Sequence, residues 1–345
     1  KLLLEFGASL RSRKSTGMSL FHRAAIVGNP DVIDEMIDYV EDIDELTKDG
    51  KTALMLAVEN KRLQAVDLLL QGGANPCLED VFGKTSLDRA VLAADVNIVN
   101  AISEYMTDIG GGTRAFSAAL RLAAANASMD IVQLLLSFGA MPALIDRKGL
   151  QAFHYAAMGG DPRIIKILHG GEVEVDVPTS DGQTALMIAA SHGKIDATQL
   201  LLNFGANIEA TDERGWTALH HAASRSEAEA VDLLLQKGAD PHALTANGSS
   251  ALSIAVGNQC EPLIALLARE GCDLDRRDEE GRTQLLLAAS NRQWTAVKSL
   301  VKAGADVHLA DSARRTPLWL ARRRGAPEEV LTLLQSPGSL TGLFD

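Results

Sequence analysis

At 345 residues the chain is long enough for two or three globular domains, yet aromatic residues make up only 4% against 46% apolar. That balance suits a core of Ala and Leu between close helices better than a large globular core. The formal net charge of −12, from 45 acidic and 33 basic side chains, sets a field that repels phosphate. It argues against a general nucleic-acid or anionic-membrane binder and favours basic partners.

No apolar run has membrane-spanning length and no signal peptide is evident, so neither membrane insertion nor secretion is expected. Cys77, Cys260 and Cys272 lack C-x-x-C spacing and a companion histidine pattern, which reads as reduced thiols in a reducing, cytoplasmic setting.

Taken in order, the chain opens inside a repeating unit. Leu2, Leu3, Leu4, Phe6, Gly7 and Ala8 match the LLLNFGA of Leu200 to Ala206, so residues 1–16 read as a partial repeat whose upstream half is missing or trimmed. The basic run Arg11, Ser12, Arg13, Lys14 falls in the loop that follows and reads as a solvated tip. From residue 17 a turn position recurs every 33 residues, at Gly17, Gly50, Gly83, Phe116, Gly149, Gly182, Gly215, Gly248, Gly281 and Arg314. The seventh residue after it is Ala in all ten frames, and the nineteenth is always apolar, from Met36 to Leu333. No insertion breaks this register between residues 17 and 338.

The first frame carries Asn29-Pro30 and a later one Asp161-Pro162, each placing proline in the first turn of a second helix. The frame from Gly83 departs most. Ala101, Ile102 and Ser103 replace the usual leucine run, and Gly110, Gly111 and Gly112 precede Phe116 where a turn glycine belongs. An altered loop is expected there, with a bend or break of the array near residues 104–116, because weak coupling between neighbours interrupts a one-dimensional stack. Gly170, Gly171 and Glu172 shift the turn after His169. In the last frame Arg322 takes a place usually held by Ala, with Arg323 and Arg324 after it, as a polar end cap requires. The tail 339–345, with Leu340, Leu343 and Phe344, reads as a segment folded back over that cap or, as the alternative, as a short peptide ligand.

The stretch Asp181 to Gly215, DGQTALMIAASHGKIDATQLLLNFGANIEATDERG, shows why the unit repeats. Gly182 suits the positive φ of a tight turn, and Thr184 offers a hydroxyl cap to a first helix bearing Leu186, Ala189 and Ala190. After the turn Ser191-His192-Gly193, a second helix carries Ile195, Leu200, Leu201 and Leu202 and ends near Gly205. Each helix is shorter than the roughly 12–15 residues that an isolated helix needs in water, so no unit stands alone. This pattern resembles the ankyrin repeat, whose consensus runs D-x-x-G-x-T-P-L-H-x-A-A, a turn, then a helix ending L-L-x-x-G-A. The resemblance spans about ten consecutive units and implies an all-α ankyrin-repeat solenoid of helix-turn-helix units joined by β-turn loops.

Catalytic patterns fail on inspection. Gly50-Lys51-Thr52 and Gly83-Lys84-Thr85 end like phosphate loops, but Glu45 and Leu78 stand where that motif needs glycine. Asp273, Asp275 and Asp278 lack the glycine and terminal glutamate of a calcium loop, and no nucleophile elbow is present. His22, His154 and His220 all take the fifth place after the turn residue, where the resemblance implies a structural bond to the capping threonine region. No enzyme, no cofactor, no metal site and no small-molecule substrate are expected.

The resemblance implies protein recognition through turn tips and the exposed side of the first helices. By position, those places hold Arg147, Lys148, Leu150, Tyr155, Met158, His192, Arg214, Trp216, His221 and Arg225 in the central frames. Arginine and large aromatics dominate interface energetics, which makes these the candidate protein-binding residues. Val81 and Phe82, at another tip, form a smaller apolar candidate. The expected function is a scaffold, targeting or inhibitory element binding a protein partner; the alternative is a structural spacer or autoinhibitory arm of a larger protein.

Overall fold

The architecture follows from a capped short helix copied along the chain. In the computed structural model, which describes residues 17–170 and 174–335, twenty helices and no strand occur among the described residues. The partial repeat at 1–16 with its basic run, the shifted turn at Gly171 and Glu172, and the tail 339–345 lie outside the described residues. Packing groups the chain into two units, Lys1–Val173 and Glu174–Asp345.

In the first unit the helices are α1 (Leu20–Val27), α2 (Pro30–Ile37), α3 (Ala53–Glu59), α4 (Leu63–Gln71), α5 (Ser86–Leu92), α6 (Val96–Asp108), α7 (Thr113–Ala125), α8 (Met129–Ser137), α9 (Ala152–Gly159) and α10 (Pro162–His169). The odd-numbered helices pack in one row and the even-numbered helices in a second, each pair closing against its own hairpin partner. In the second unit, α11 (Ala185–Ser191), α13 (Ala218–Arg225), α15 (Ala251–Gly257), α17 (Gln284–Ser290) and α19 (Pro317–Arg324) form one row. The other row is α12 (Ile195–Asn203), α14 (Ala228–Gln236), α16 (Glu261–Arg269), α18 (Trp294–Lys302) and α20 (Glu328–Gln335).

Most first helices start where the sequence supplies a capping side chain; α7, which follows Gly112, has none. Thr52 accepts from Met55 N–H at 3.2 Å and Thr184 from Met187 N–H at 3.4 Å, satisfying one of the donors that a helix start leaves open. Pro30 and Pro162 sit in the first turns of α2 and α10, where a missing N–H costs nothing. The periodic alanines, from Ala24 to Ala321, are all buried and let the first helices approach closely, and the ten apolar residues at the nineteenth place are buried as well. Burying one such leucine contributes about 1.5–3 kcal/mol, so coupling to neighbours supplies what a helix of seven to nine residues lacks alone.

The tips are tight turns closed twice. Gly215 N–H donates to the Asp212 carbonyl at 2.9 Å, and Asp212 N–H donates to the Trp216 carbonyl at 3.0 Å. Successive tips are tied as well: Glu213 N–H reaches the Asp181 carbonyl at 3.2 Å and Ala246 N–H the Arg214 carbonyl at 2.9 Å. Seven of the nine described turn residues that follow Gly17 are glycines with positive φ, while Arg314 adopts the same left-handed conformation at φ 59°.

The frame without a turn glycine is built differently. Phe116 lies inside α7 with 2% exposure, and both flanking helices, α6 and α7, lengthen to 13 residues. Only 109–112 remain between them. Gly112, at φ 121°, sits so close to the Phe116 ring that a Cβ would come within 2.4 Å of it. An aromatic at the turn position thus converts the tip into helix by supplying a core anchor. Through this stretch α5 packs on α7 and α6 on α8.

Candidate protein-binding surface

At both candidate tips the side chain at the sixth place of the first helix is fixed by a carboxylate three residues before the turn. In the first unit, Asp146 accepts from Lys148 N–H at 2.8 Å and Leu150 N–H at 2.9 Å through Oδ1, leaving Oδ2 for the Tyr155 hydroxyl at 2.8 Å. Burial and then the Asp146 carboxylate push the Tyr155 phenol up to about 12, so it stays a donor at any physiological pH. Arg147 and Lys148 are exposed at the tip, and Leu150 and Met158 are half-buried. Tyr155 is half-buried beside the tip, its hydroxyl already committed.

In the second unit Asp212 plays the same part with a different partner. Its Oδ1 accepts from Arg214 N–H at 2.9 Å and Trp216 N–H at 2.8 Å, and its Oδ2 meets His221 Nε2 at 3.1 Å and Arg214 Nη2 at 3.3 Å. The Trp216 ring lies 5.3 Å from that of His221, and the Arg214 guanidinium stacks over Trp216 at 4.7 Å from its centroid. Burial lowers the His221 imidazole below its ordinary value despite the neighbouring carboxylate, and holds its ring neutral. His221 is buried, so it supports Trp216 from beneath instead of touching solvent. Arg225 is exposed in the last turn of α13, and exposed His192 uses its Nδ1 on the Ile188 carbonyl at 2.9 Å.

The ten candidate residues thus divide by unit: Arg147, Lys148, Leu150, Tyr155 and Met158 around Asp146, and Arg214, Trp216 and His221 around Asp212, with His192 and Arg225 on neighbouring turns. Asp146 and Asp212 were not singled out from sequence. The signal was there, in the first letter of the repeat consensus together with a hydroxyl or imidazole nine residues later. At the other candidate tip, Val81 and Phe82 are 63% and 76% exposed, Phe82 N–H being held by Asp80 Oδ1 at 2.8 Å.

The periodic histidines make the structural bonds expected of them. His220 Nδ1 lies 2.9 Å from Thr217 Oγ1 and its Nε2 3.1 Å from the Ala243 carbonyl in the next loop; His22 spans Ser19 and the Glu45 carbonyl in the same way. Trp294, which takes the Ile195 place, is half-buried at the start of α18. Among the described residues no group of three or more His, Cys, Asp or Glu could hold a metal ion, and no helix is long and apolar enough to cross a membrane.

Capped helix pairs in register, with tips tied from copy to copy, define a repeat protein whose core positions are fixed and whose rim is free to vary. Models of ankyrin repeats (3 copies) match residues 1–80, 21–111, 153–245 and 252–341, and a model of ankyrin repeats (many copies) matches 120–169. The chain belongs to the ankyrin repeat family, and its fold is the all-α ankyrin-repeat solenoid; repeats of this kind mediate protein–protein interaction.

It is similar to the human transient receptor potential cation channel subfamily A member 1, with 26% identity over 223 residues, covering 61% of this chain and 20% of the channel. It is also similar to the mouse B-cell lymphoma 3 protein homolog, with 37% identity over 97 residues, covering 27% of this chain and 22% of that protein. The chain thus spans about a fifth of the length of these curated relatives. Among solved structures, the ankyrin repeat domain of Bcl-3 superposes with a TM-score of 0.52 at 24% identity, covering 73% of this chain and 99% of that one.

Proposed function

We propose that the chain is a non-enzymatic scaffold, targeting or inhibitory element that captures a protein partner on the tip and first-helix residues around Trp216, the Tyr155 tip of the first unit being a separate candidate surface. The observation that carries this reading is the Arg214–Trp216 stack, held at a solvent-facing tip by a buried His221–Asp212 pair. A large aromatic whose orientation is fixed before binding loses little side-chain entropy on contact, which is how hot-spot residues concentrate binding energy. The excess of acidic residues favours basic partners at long range, and the guanidinium of Arg214 then selects acceptors locally. The three free thiols suit a reducing, cytoplasmic setting.

The experiment is capture from native extract on the immobilised chain, comparing wild type with Trp216→Ala/Arg214→Ala. Loss of a captured protein with an unchanged urea midpoint supports the assignment. Unchanged capture by the folded variant removes this surface from consideration.

A further inference from the structure

The last helix pair departs from the other frames at two places. The eighth residue after the turn is a buried Ala or Val in all nine earlier frames, as at Ala157, Ala190 and Ala223; in the tenth it is Arg322, which is exposed. The fifth residue is buried in most frames, as at His154, Met187 and Leu286; here it is Trp319, 44% exposed.

The cap of α19 is ordinary, with Thr316 Oγ1 accepting from Trp319 N–H at 3.2 Å, so the indole's position is set by the helix and not by a frayed end. The Arg323 guanidinium lies over the Trp319 ring at 5.3 Å. Thr316, Leu318, Trp319, Arg322 and Arg323 line an open hollow of about 550 Å³.

Positive charge is concentrated here, in three consecutive arginines. Arg315 in the same frame is taken by Asp311 at 2.7 Å, and Arg214, Arg269 and Arg282 elsewhere in the unit each reach a carboxylate. Arg322, Arg323 and Arg324 form no ion pair among the described residues, although acidic residues outnumber basic ones by 45 to 33. Three guanidiniums in the last turn favour the helix dipole, and one or two would suffice for that. An exposed indole contributes nothing to either the dipole or solvation.

We propose that this face of α19 is a docking site for an acidic peptide segment of a partner protein, one that alternates Asp or Glu with large apolar residues. Carboxylates would pair with the guanidiniums of Arg322 and Arg323, whose planar forks suit bidentate contact, and an apolar side chain would rest against Trp319. A nucleic acid is disfavoured because a long polyanion meets the field of the whole acidic chain, whereas a short peptide meets only charges within about one Debye length, ~8 Å at physiological salt. This surface is separate from the Trp216 tip, so each can fail without the other.

The test is fluorescence anisotropy with a labelled eight-residue peptide alternating Glu and Leu, a Gln-for-Glu control, a Lys-for-Glu control and a twelve-nucleotide single-stranded DNA. The full 345-residue chain should bind the Glu peptide saturably, at least tenfold tighter than the Gln peptide, with affinity falling as salt rises. Arg322→Gln/Arg323→Gln should weaken it about tenfold and Trp319→Ala several-fold, while Trp216→Ala leaves it unchanged. Arg322→Glu/Arg323→Glu should exchange the preference toward the Lys peptide, which a merely unfolded variant cannot do. Equal binding of Glu and Gln peptides overturns the proposal, as does insensitivity to the arginine substitutions or tighter binding of the DNA than of the Glu peptide.

Discussion

The Tyr155 hydroxyl donates at 2.8 Å to Asp146, nine residues upstream, and the same interval separates His221 from Asp212 and Arg89 from Asp80. Wherever aspartate stands three residues before the turn, a donor is supplied for its free oxygen. Where the sixth helical residue is apolar, as at Leu287 and Leu320, the residue after the turn supplies it instead, Arg282 to Asp278 and Arg315 to Asp311, both at 2.7 Å. Where threonine replaces the aspartate, at Thr47, Thr179 and Thr245, the sixth residue is Leu56, Ile188 and Ile254. An anion with a donor and a hydroxyl with a hydrocarbon are two solutions to one problem: a side chain that must accept the turn's N–H groups.

This exchange can be made by hand. Asp80 is fully buried at its side chain and is paired by Arg89, which also meets Glu59. Arg89→Ala should cost about 3 kcal/mol, since it strands a buried carboxylate. Asp80→Thr/Arg89→Leu, which copies the pairing of Thr179 with Ile188, should return to within about 1 kcal/mol of wild type. Urea unfolding of the three proteins measures both; a double variant as unstable as the single would refute the equivalence of the two pairings.

Acid should weaken the fold in two stages. Burial lowers His220 and His221 below the usual imidazole value, so both are neutral when folded and take up protons more readily when unfolded. Stability is then complete above about pH 6.5 and declines as pH falls through their lowered folded values. Burial by itself would raise the carboxyls of Asp146 and Asp212, but the N–H groups and cations around them prevail and hold both below the ordinary range. Their contribution is present above about pH 4 and is lost as pH drops through those lower values. Urea midpoints at pH 7.5, 5.5 and 3.5 should fall twice, and His221→Gln should shrink the first step; a midpoint that rises from pH 7.5 to 5.5 contradicts the scheme.

The approach of α9 to α7 depends on an absent side chain. A Cβ at Gly159 in α9 would come within 2.4 Å of the Ala124 carbonyl and 2.8 Å of the Ala125 carbonyl in α7. Backbone cannot rotate aside, so Gly159→Ala should destabilise by about 1–3 kcal/mol in spite of alanine's better helix propensity. Thermal unfolding decides: a rise in midpoint would mean that the helices part freely.

Trp216 should be quenched by its neighbour. With the Arg214 guanidinium at 4.7 Å and His221 beneath, Arg214→Ala should change the tryptophan emission while leaving stability within about 0.5 kcal/mol, because the stack is solvent-facing. A loss of several kcal/mol would assign Arg214 to the core instead of the binding rim.

How much of this could be read from the chain depends on the range of the interaction. The alanines of the seventh place and the apolar nineteenth place are period-locked, so a list of positions already contains the two helix rows. Thr184 and Pro162 declare helix starts by local backbone chemistry. Phe116 could be read only as a missing glycine; that it anchors a lengthened α7 follows from the cavity it fills, which no spacing records. The ties of Tyr155 and His221 were legible as residue types at rim places, but their direction depends on a free carboxylate oxygen in a folded turn.

The partners of each turn aspartate sit within nine residues of it, inside a single copy. Each copy with a turn aspartate therefore carries its own latch, and a 33-residue cassette cut just ahead of that aspartate would travel with its lock already closed, needing from its new neighbours only a matching apolar flank.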